Sequence, residues 1–305
     1  MSRYIILRLL QAIVSLVVVM TIVFLLSRLS GDPVNLLVDI TADKSQRDAI
    51  RRDLGLDRPL IVQWADYLQD MATLDLGKSV TNRQPVRTLI LERLPATLQL
   101  GFTAMIITVI LGLPIGIYAA VHRGTVKDHA ARAFAVLGQS IPPFWLGIML
   151  ILVFGVFLRV LPPGGKEGPS SVILPAITLG LFAMAAVMRL TRSSMLDVLG
   201  AEYIKLARIK GLHEFRVIWK HALKNALLPV VTFAVLLFAL FLGGAVVTET
   251  VFAWPGLGRL ILDGVRNRDF PLVQGGVVVF SAMYIFANLL VDILYAYLNP
   301  RIRYN

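Results

Sequence analysis

Five polar side chains recur along one side of the last apolar segment of this 305-residue chain. Their spacing is that of a single face of an α-helix. An ionisable residue within a membrane-spanning helix almost always faces protein or water. The pattern therefore predicts either a polar face that lines a cavity or structural hydrogen bonds and ion pairs within a helical bundle. The five residues are Ser281, Tyr284, Asn288, Asp292 and Tyr295.

A second candidate is the stretch 138–147, which reads Gly-Gln-Ser-Ile-Pro-Pro-Phe-Trp-Leu-Gly. Proline removes a helix hydrogen-bond donor and disfavours the helical conformation of the residue before it, so Pro142 and Pro143 predict an interruption or a sharp kink. Broken helices often line a transport path, although packing can also absorb a kink. The candidate path residues are Ser140, Pro142, Pro143, Ser281, Asn288 and Asp292.

A long basic stretch, 202–231, separates the fourth and fifth apolar segments. Leu196, Leu199, Tyr203 and Leu206 recur at helical spacing, which predicts that the fourth span continues beyond the bilayer as an amphipathic helix. Gly211 suits the position just after a helix end, where φ is positive.

A second amphipathic helix is predicted to begin near His213, with Glu214 in its first turn, where a carboxylate suits the helix dipole. Such a helix could lie on anionic lipid or fit a groove on a partner protein. Its rigid continuation from a span favours the partner. The apolar face comprises Phe215, Ile218, Trp219 and Ala222, and a neighbouring basic row comprises Arg216, Lys220 and Lys224.

Enzyme chemistry has little support in the sequence. The stretch 75–79, Asp-Leu-Gly-Lys-Ser, resembles the end of a phosphate-binding loop, but Ala72 stands where that pattern needs glycine. The stretch 255–258, Pro-Gly-Leu-Gly, is typical of a turn that opens a short helix. Cysteine is absent, and the four histidines show no metal-binding pair. We expect no cofactor bound by this chain and no metal.

Composition places the chain among all-α integral membrane proteins, because 57% of it is hydrophobic and its mean hydropathy is +0.74. A helix needs about 20 apolar residues to cross a bilayer. The first segment is interpreted as an uncleaved anchor rather than a signal peptide, since its apolar run is too long and no Ala-x-Ala site follows. The six predicted transmembrane helices are 9–29, 97–121, 134–158, 172–190, 227–248 and 277–298.

The distribution of Lys and Arg predicts the orientation. The N-terminus, the loops 122–133 and 189–226 and the C-terminus carry the whole formal net charge of +11. Basic loops face the cytoplasm, so both termini are expected there and residues 31–94 outside, as two short helices with a turn at 55–59. This bias explains the basic total, and we expect no nucleic acid partner.

The chain resembles the membrane subunits of ABC importers, most closely the first permease of the dipeptide/oligopeptide/nickel branch. The family's cytoplasmic motif, idealised as Glu-Ala-Ala-x-x-x-Gly, is matched by Ala207 and Gly211. Lys205 and Leu206 replace the Glu and the first Ala, so the role of that Glu does not carry over to Lys205. Further motifs that resemble the branch are GDP at 31–33, LGLDRPL at 54–60, LPATLQL at 94–100, SIPPFWLG at 140–147, TRSSMLDVL at 191–199, GGAVVTETVFAWPGLGRL at 243–260 and NPRIRY at 299–304.

The resemblance implies the transmembrane domain of a type I importer in the bacterial cytoplasmic (inner) membrane. Its implied partners are a second homologous permease, two ATPase subunits that hold ATP and Mg, and an extracytoplasmic solute-binding protein. Residues 212–223 would be the coupling helix that docks on an ATPase. The implied coupling residues are Ala207, Gly211, Leu212, Glu214, Phe215, Arg216, Ile218, Trp219 and Ala222.

The expected organisation is a first helix plus extracytoplasmic loop (1–94), a five-helix core (95–298) with the coupling loop 191–226, and a cytoplasmic tail (299–305). The expected function is to form half of a translocation pathway for di- or oligopeptides. Nickel complexes, glutathione and modified sugars are alternative solutes. A different class, a secondary transporter driven by an ion through Asp292, would need inverted repeats and midplane charges, neither of which is clear in the sequence.

Overall fold

The chain is helical in a computed structural model that describes residues 2–29, 43–53 and 55–298. Within these ranges the regular elements are helices, and the only strand-like pairing is an isolated bridge between Lys78 and Pro85. The predicted all-α class is confirmed. Leu54, the motifs at 31–33 and 299–304 and the predicted tail lie outside the described residues.

Five of the described helices are long and apolar enough to cross a bilayer, and a pair bent by 101° makes a sixth if its two halves form one span. This agrees with the six spans predicted. The second helix begins well before residue 97, because hydropathy marks the part of a helix that suits lipid rather than its full length. The five helices are Ser2–Leu29, Val86–Val121, Ile173–Leu199, Leu223–Val251 and Phe270–Leu298, and the bent pair is Val126–Ser140 with Pro143–Phe157.

The bend of the third span is a true break in the helix. The two halves meet at 101°, and Ile141 and Pro142, which connect them, are extended with ψ of 122° and 133°. Both residues precede a proline, and the proline ring disfavours the helical conformation at such positions. After Pro143–Leu150 the second half continues as a π-helix, Ile151–Phe157. The predicted interruption at the two prolines is confirmed.

The first half of this span begins at Val126, whereas the sequence predicted a loop over 122–133. The loop is reduced to a turn around Gly124, whose φ is +77°. The predicted loop was too long because charged residues here, such as Asp128, also suit the first turn of a helix. Hydropathy alone therefore misplaced the start of the helix.

The predicted short helices outside the spans are present. Lys44–Asp53 and Leu60–Ala72 flank a turn in which Gly55 has a φ of +63°. The stretch 255–258 opens the helix Leu257–Arg266, as its turn signal indicated. A 3-10 turn, Pro169–Val172, leads into the fourth span.

The helices form two compact units. The first contains Thr97–Trp254 and the last helix from Leu290 onward. The second contains Ser2–Ala96 and Pro255–Leu289. Each unit has its own cluster of buried apolar side chains.

The second span packs closely on the fourth in the first unit. A Cβ atom added at Gly112 would lie 3.0 Å from the carbonyl oxygen of Met184, and one at Gly116 would lie 2.6 Å from that of Met188. Only glycine allows the two backbones to approach so closely. The small-residue pair predicted from sequence thus serves helix packing.

A buried carboxylate lies at the start of the last helix, in the second unit. Asp269 is fully buried and accepts a hydrogen bond of 2.5 Å from the hydroxyl of Ser79. It also accepts from the backbone N–H groups of Thr81 (3.0 Å) and Leu272 (3.3 Å). Asp269 therefore caps the helix Phe270–Leu298 and fixes the turn that precedes the second span.

Candidate functional site

The helix Glu202–Ile209 ends in a Schellman motif, in which hydrogen bonds satisfy its last carbonyl groups. The N–H of Leu212 donates to the carbonyl of Ala207 (3.2 Å), and the N–H of Gly211 donates to that of Arg208 (2.9 Å). Gly211 has a φ of +75°, which glycine adopts at little cost. The predicted glycine turn is confirmed, and the motif determines the direction in which the chain leaves this helix.

The next helical turn begins at Glu214, as predicted. His213 caps it, because its Nδ1 accepts a hydrogen bond from the N–H of Phe215 (3.3 Å). The carboxylate of Glu214 pairs with the guanidinium of Arg208 at 2.7 Å across the glycine turn. Both side chains are about half exposed, so this pair contributes on the order of 0–1 kcal/mol and mainly orients the two helices.

The structure divides the apolar face that was predicted for this helix. Residues 217–222 form a π-helix, whose wider turn does not follow the spacing of an α-helix. Val217 and Ala222 are fully buried, whereas Phe215 is 63% exposed and Trp219 is 46% exposed. Ile218 packs at the edge of the buried cluster. The prediction of one continuous face from Phe215 to Ala222 is therefore wrong.

The helix predicted to run on from the fourth span is also interrupted. Ile173–Leu199 ends at Gly200, and Ala201 is extended, with a ψ of 147°. The break changes which side of the following helix faces inward: Ile204 and Ala207 are buried there. Tyr203 and Leu206, which continued the predicted stripe, are exposed instead.

The 202–222 segment packs on a buried cluster that includes three spans. Its buried members are Ile204, Ala207, Val217 and Ala222, and Leu212 packs against them. Because these side chains pack closely against the spans, the segment is expected to move with the spans as one rigid body. The spans contribute Ile117 and Ala120 from the second, Met195 from the fourth and Ala226 from the fifth.

The outer side of the 202–222 segment exposes large apolar side chains. Leu206 is 55% and Ile209 is 80% exposed, and the rings of Phe215 and Trp219 contact each other with centroids 6.0 Å apart. Exposed apolar groups rimmed by charge mark interaction sites. The predicted basic row is exposed as well, with Arg216 and Lys220 on the same segment and Lys224 at the start of the following helix. Of the predicted coupling residues, Gly211, Glu214, Phe215, Arg216 and Trp219 can therefore contact a partner, while Ala207 and Ala222 lie beneath them.

The candidate path residues at the bend lie together. Ser140 is exposed and donates a hydrogen bond to the carbonyl of Val136 (2.8 Å), and the adjacent Pro142 and Pro143 are exposed as well. An exposed polar group beside a helix break is compatible with a path, which stays a prediction.

The polar stripe of the last span is only partly described. Ser281 is half-buried, and the amide of Asn288 donates to the carbonyl of Tyr284 (2.9 Å). Asp292 is half-buried and takes part in a polar interaction. The side chain of Tyr295 lies outside the described residues. The role of this stripe stays a prediction.

Sequence reasoning missed two buried carboxylates in the first unit. Asp128 forms a bidentate ion pair with Arg192, with hydrogen bonds of 2.6 and 2.8 Å. In the sequence, Asp128 was assigned only to a charged cytoplasmic loop. Glu249 is fully buried in the fifth span and accepts a hydrogen bond from Thr97 (2.7 Å). The sequence did contain a signal for Glu249, because an acidic residue within an apolar segment is unusual.

Among the described residues, no cluster of three or more His, Cys, Asp or Glu side chains is placed to hold a metal ion.

Comparison with known proteins identifies the family. Residues 112–304 match the family described as "Binding-protein-dependent transport system inner membrane component", and residues 1–101 match its N-terminal companion. The chain is 45% identical over 305 residues to the glutathione transport system permease protein GsiC of Escherichia coli O6:H1 strain CFT073, with both chains covered completely. It is 44% identical, with the same coverage, to GsiC of Salmonella choleraesuis strain SC-B67.

Two solved structures share the fold. An inward-facing form of the MetNI methionine ABC transporter is 19% identical, with a TM-score of 0.55, and the match covers 69% of this chain and 96% of that one. An amino acid ABC transporter crystallised with histidines is 14% identical, with a TM-score of 0.51 and coverage of 69% and 94%. The full-length match to permeases and the multi-pass helical fold lead to one conclusion. The chain belongs to the family of inner membrane components of binding-protein-dependent transport systems, and it is a permease subunit of an ABC importer of the peptide and nickel branch.

Proposed function

We propose that the 202–222 segment docks on a cytoplasmic ATPase subunit and passes its movement to the spans. The exposure of Ile209, Phe215 and Trp219 on a segment whose other side is packed into the span core carries this proposal. A lipid-facing helix needs only an apolar face. A coupling element also needs a rigid attachment, and the buried cluster supplies it.

Force would reach three spans directly and a fourth through an ion pair. Val217 and Ala222 pack in the cluster with the second, fourth and fifth spans. Asp128 then links the first half of the bent third span to Arg192 near the end of the fourth. Closure of two ATPases on ATP would thus move these helices together. ATP would act through its different affinities for two conformations of the complex.

The hydrolysis of ATP in the presence of Mg would take place on the partner ATPases. This chain would form half of the translocation pathway with a second homologous permease, and an extracytoplasmic binding protein would deliver the solute. The bend at Ser140–Pro143 and the polar stripe with Asp292 are the proposed path residues. The complex would lie in a bacterial inner membrane with both termini of this chain in the cytoplasm.

Glutathione or a related short peptide is the proposed solute. The identity of 44–45% along the full length to permeases named for glutathione transport supports it. The test is ATP hydrolysis by the complex reconstituted in liposomes with its binding protein, loaded with glutathione, a dipeptide or a nickel complex in turn. Glutathione or peptides should raise the rate. Stimulation by the nickel complex alone would overturn the assignment.

Docking is tested with a matched pair of tryptophans. Trp219→Ala should weaken retention of the ATPase subunits by about 2 kcal/mol or more, because a large aromatic side chain at the centre of an interface dominates its energy. Trp145, on the helix after the bend, is 47% exposed, close to the 46% of Trp219. Trp145→Ala should leave retention in pull-down from detergent unchanged. Equal retention by both variants would exclude the docking role of Trp219.

A further inference from the structure

Two adjoining cavities lie in the second unit, between the end of the first span and the beginning of the last. One has a volume of about 260 Å³ and the other about 480 Å³. They share Ser27, Phe270 and Gln274 as lining residues, so they are neighbours along the same wall. Both linings are mostly apolar, but carboxylates line the smaller cavity only, and this combination points to an amphipathic ligand.

The smaller cavity has a polar wall formed by one face of the helix Leu60–Ala72. Gln63, Asp66, Tyr67 and Asp70 follow each other at helical spacing along it. Arg28, from the last turn of the first span, lines the same cavity and lies over the ring of Phe24, 5.3 Å from its centroid. The cavity therefore combines the guanidinium of Arg28 with two carboxylates, of which that of Asp66 is already paired with Arg58 at 3.2 Å.

Two buried polar atoms on this wall have no hydrogen-bond partner among the described residues, the hydroxyl of Tyr67 and the amide oxygen of Gln63. The nitrogen of that amide donates to the carbonyls of Arg58 (2.7 Å) and Leu56 (3.3 Å), which leaves its oxygen as an acceptor. Buried polar groups are nearly always paired, so these two atoms indicate a missing partner, which must be a donor in the case of the amide oxygen.

Charge in this cavity favours a cation next to the two acceptors. Burial raises the pKa of Tyr67 to about 12, so its hydroxyl stays neutral and can accept a hydrogen bond. Burial, and then the nearby carboxylates of Asp75 and Asp66, raise the pKa of Asp70. A bound cation would relieve this repulsion and stabilise the charged form.

The larger cavity is mostly apolar, although Arg268 and Gln274 also line it. Its lining includes Val23 and Leu26 of the first span, and Val265, Val273 and Val277 from the region of the last two helices. Because the first and last spans are apolar helices, this lining continues their lipid-compatible surface. An acyl chain would fit its chemistry, and a water-soluble ligand would not need it.

We propose that the two cavities bind a phospholipid with a primary ammonium headgroup, of the phosphatidylethanolamine class. The ammonium, with three N–H donors, meets the oxygens of Gln63 and Tyr67 and the carboxylate of Asp70, while Asp66 keeps its ion pair with Arg58 at 3.2 Å. The phosphate lies at Arg28, and an acyl chain enters the larger cavity. A choline headgroup has no N–H donor, and a glycerol headgroup has no positive charge.

The test is lipid retention by the purified full chain in native mass spectrometry. The chain is exchanged into detergent with equal amounts of phosphatidylethanolamine, phosphatidylcholine and phosphatidylglycerol that carry the same acyl chains. Phosphatidylethanolamine should be retained about tenfold better than the other two, as expected for a hydrogen bond to a charged group. Equal retention of the three lipids would overturn the proposal and leave solvent as the occupant.

Variants locate the site. Tyr67→Phe removes only the hydroxyl and should reduce the preference for phosphatidylethanolamine severalfold, while Val265→Trp should reduce retention of all three lipids by filling the larger cavity. Tyr118→Phe, in the other unit, is the matched control. Wild-type preference in Tyr67→Phe, or displacement of the lipid by soluble glycerophosphoethanolamine at equal concentration, would overturn the assignment. Monodisperse elution of each variant verifies its folding.

Discussion

The carboxylate of Asp128 accepts two hydrogen bonds from the guanidinium of Arg192, with lengths of 2.6 and 2.8 Å. Asp128 is only 1% exposed and also accepts from the N–H of Gly124 at 3.0 Å. The pair joins the first turn of Val126–Ser140 to the last part of Ile173–Leu199. Bidentate geometry restricts both side chains strongly. Any shift of the fourth span at this point should therefore reach the bent span.

Removal of one partner of this pair should be costly. Asp128→Ala leaves the guanidinium of Arg192 uncompensated in a largely buried position, and a loss of about 3–5 kcal/mol in the free energy of unfolding is expected. Unfolding by sodium dodecyl sulfate in mixed micelles measures it. The control is Arg132→Ala, which removes a cation that is 44% exposed and 3.5 Å from the same carboxylate. That variant should lose about 0–1 kcal/mol. Similar losses in both variants would contradict the assigned importance of Arg192.

Gly116→Ala should disrupt the contact between the second and fourth spans. The added Cβ would lie 2.6 Å from the carbonyl oxygen of Met188, which is backbone and cannot rotate away. We expect a loss of about 1–3 kcal/mol in the free energy of unfolding. Gly200→Ala is the control, because the nearest atom would lie 3.6 Å from its Cβ and the φ of Gly200 is −80°. If Gly116→Ala is as stable as Gly200→Ala, the close helix contact does not exist.

Gly211→Val should abolish transport even though no other atom lies within 4 Å of the site where its Cβ would be. The cause is conformational, because the φ of +75° at this position is very unfavourable for a β-branched residue. Gly211→Asn should retain much of the transport, since asparagine adopts this conformation more readily. Arg216→Ala should have a smaller effect than Gly211→Val. Uptake by cells with equal membrane levels of each variant measures these effects, and wild-type uptake by Gly211→Val would contradict the role of the turn.

The orientation of the chain can be tested by cysteine labelling, because the native sequence contains no cysteine. Gln46→Cys should react with an impermeant maleimide in whole cells, and His213→Cys should react only after the cells are opened. The reason is the one-sided distribution of the net charge of +11. Both positions are exposed, so accessibility within the protein does not bias the comparison. The reverse labelling pattern would refute the predicted topology.

The local sequence was sufficient to predict those structural features that depend on the residue type at individual positions. The apolar segments predicted the spans, because the cost of burying polar groups in lipid acts on every residue of a span. The break at Pro142 and Pro143 and the turn at Gly211 were predictable, since proline and glycine restrict or extend the backbone wherever they occur. The motifs around these residues also indicated the importer family.

Only the tertiary structure decided which side chains of the 202–222 segment are exposed and which are buried. The break at Gly200 and the π-helix at 217–222 change the rotation of side chains about the helix axis, and both depend on packing against the spans. The pairing of Asp128 with Arg192 was equally hidden, because the two residues are 64 positions apart. The periodicity of apolar residues describes one helix at a time. The burial of a side chain depends on which other elements pack against its helix.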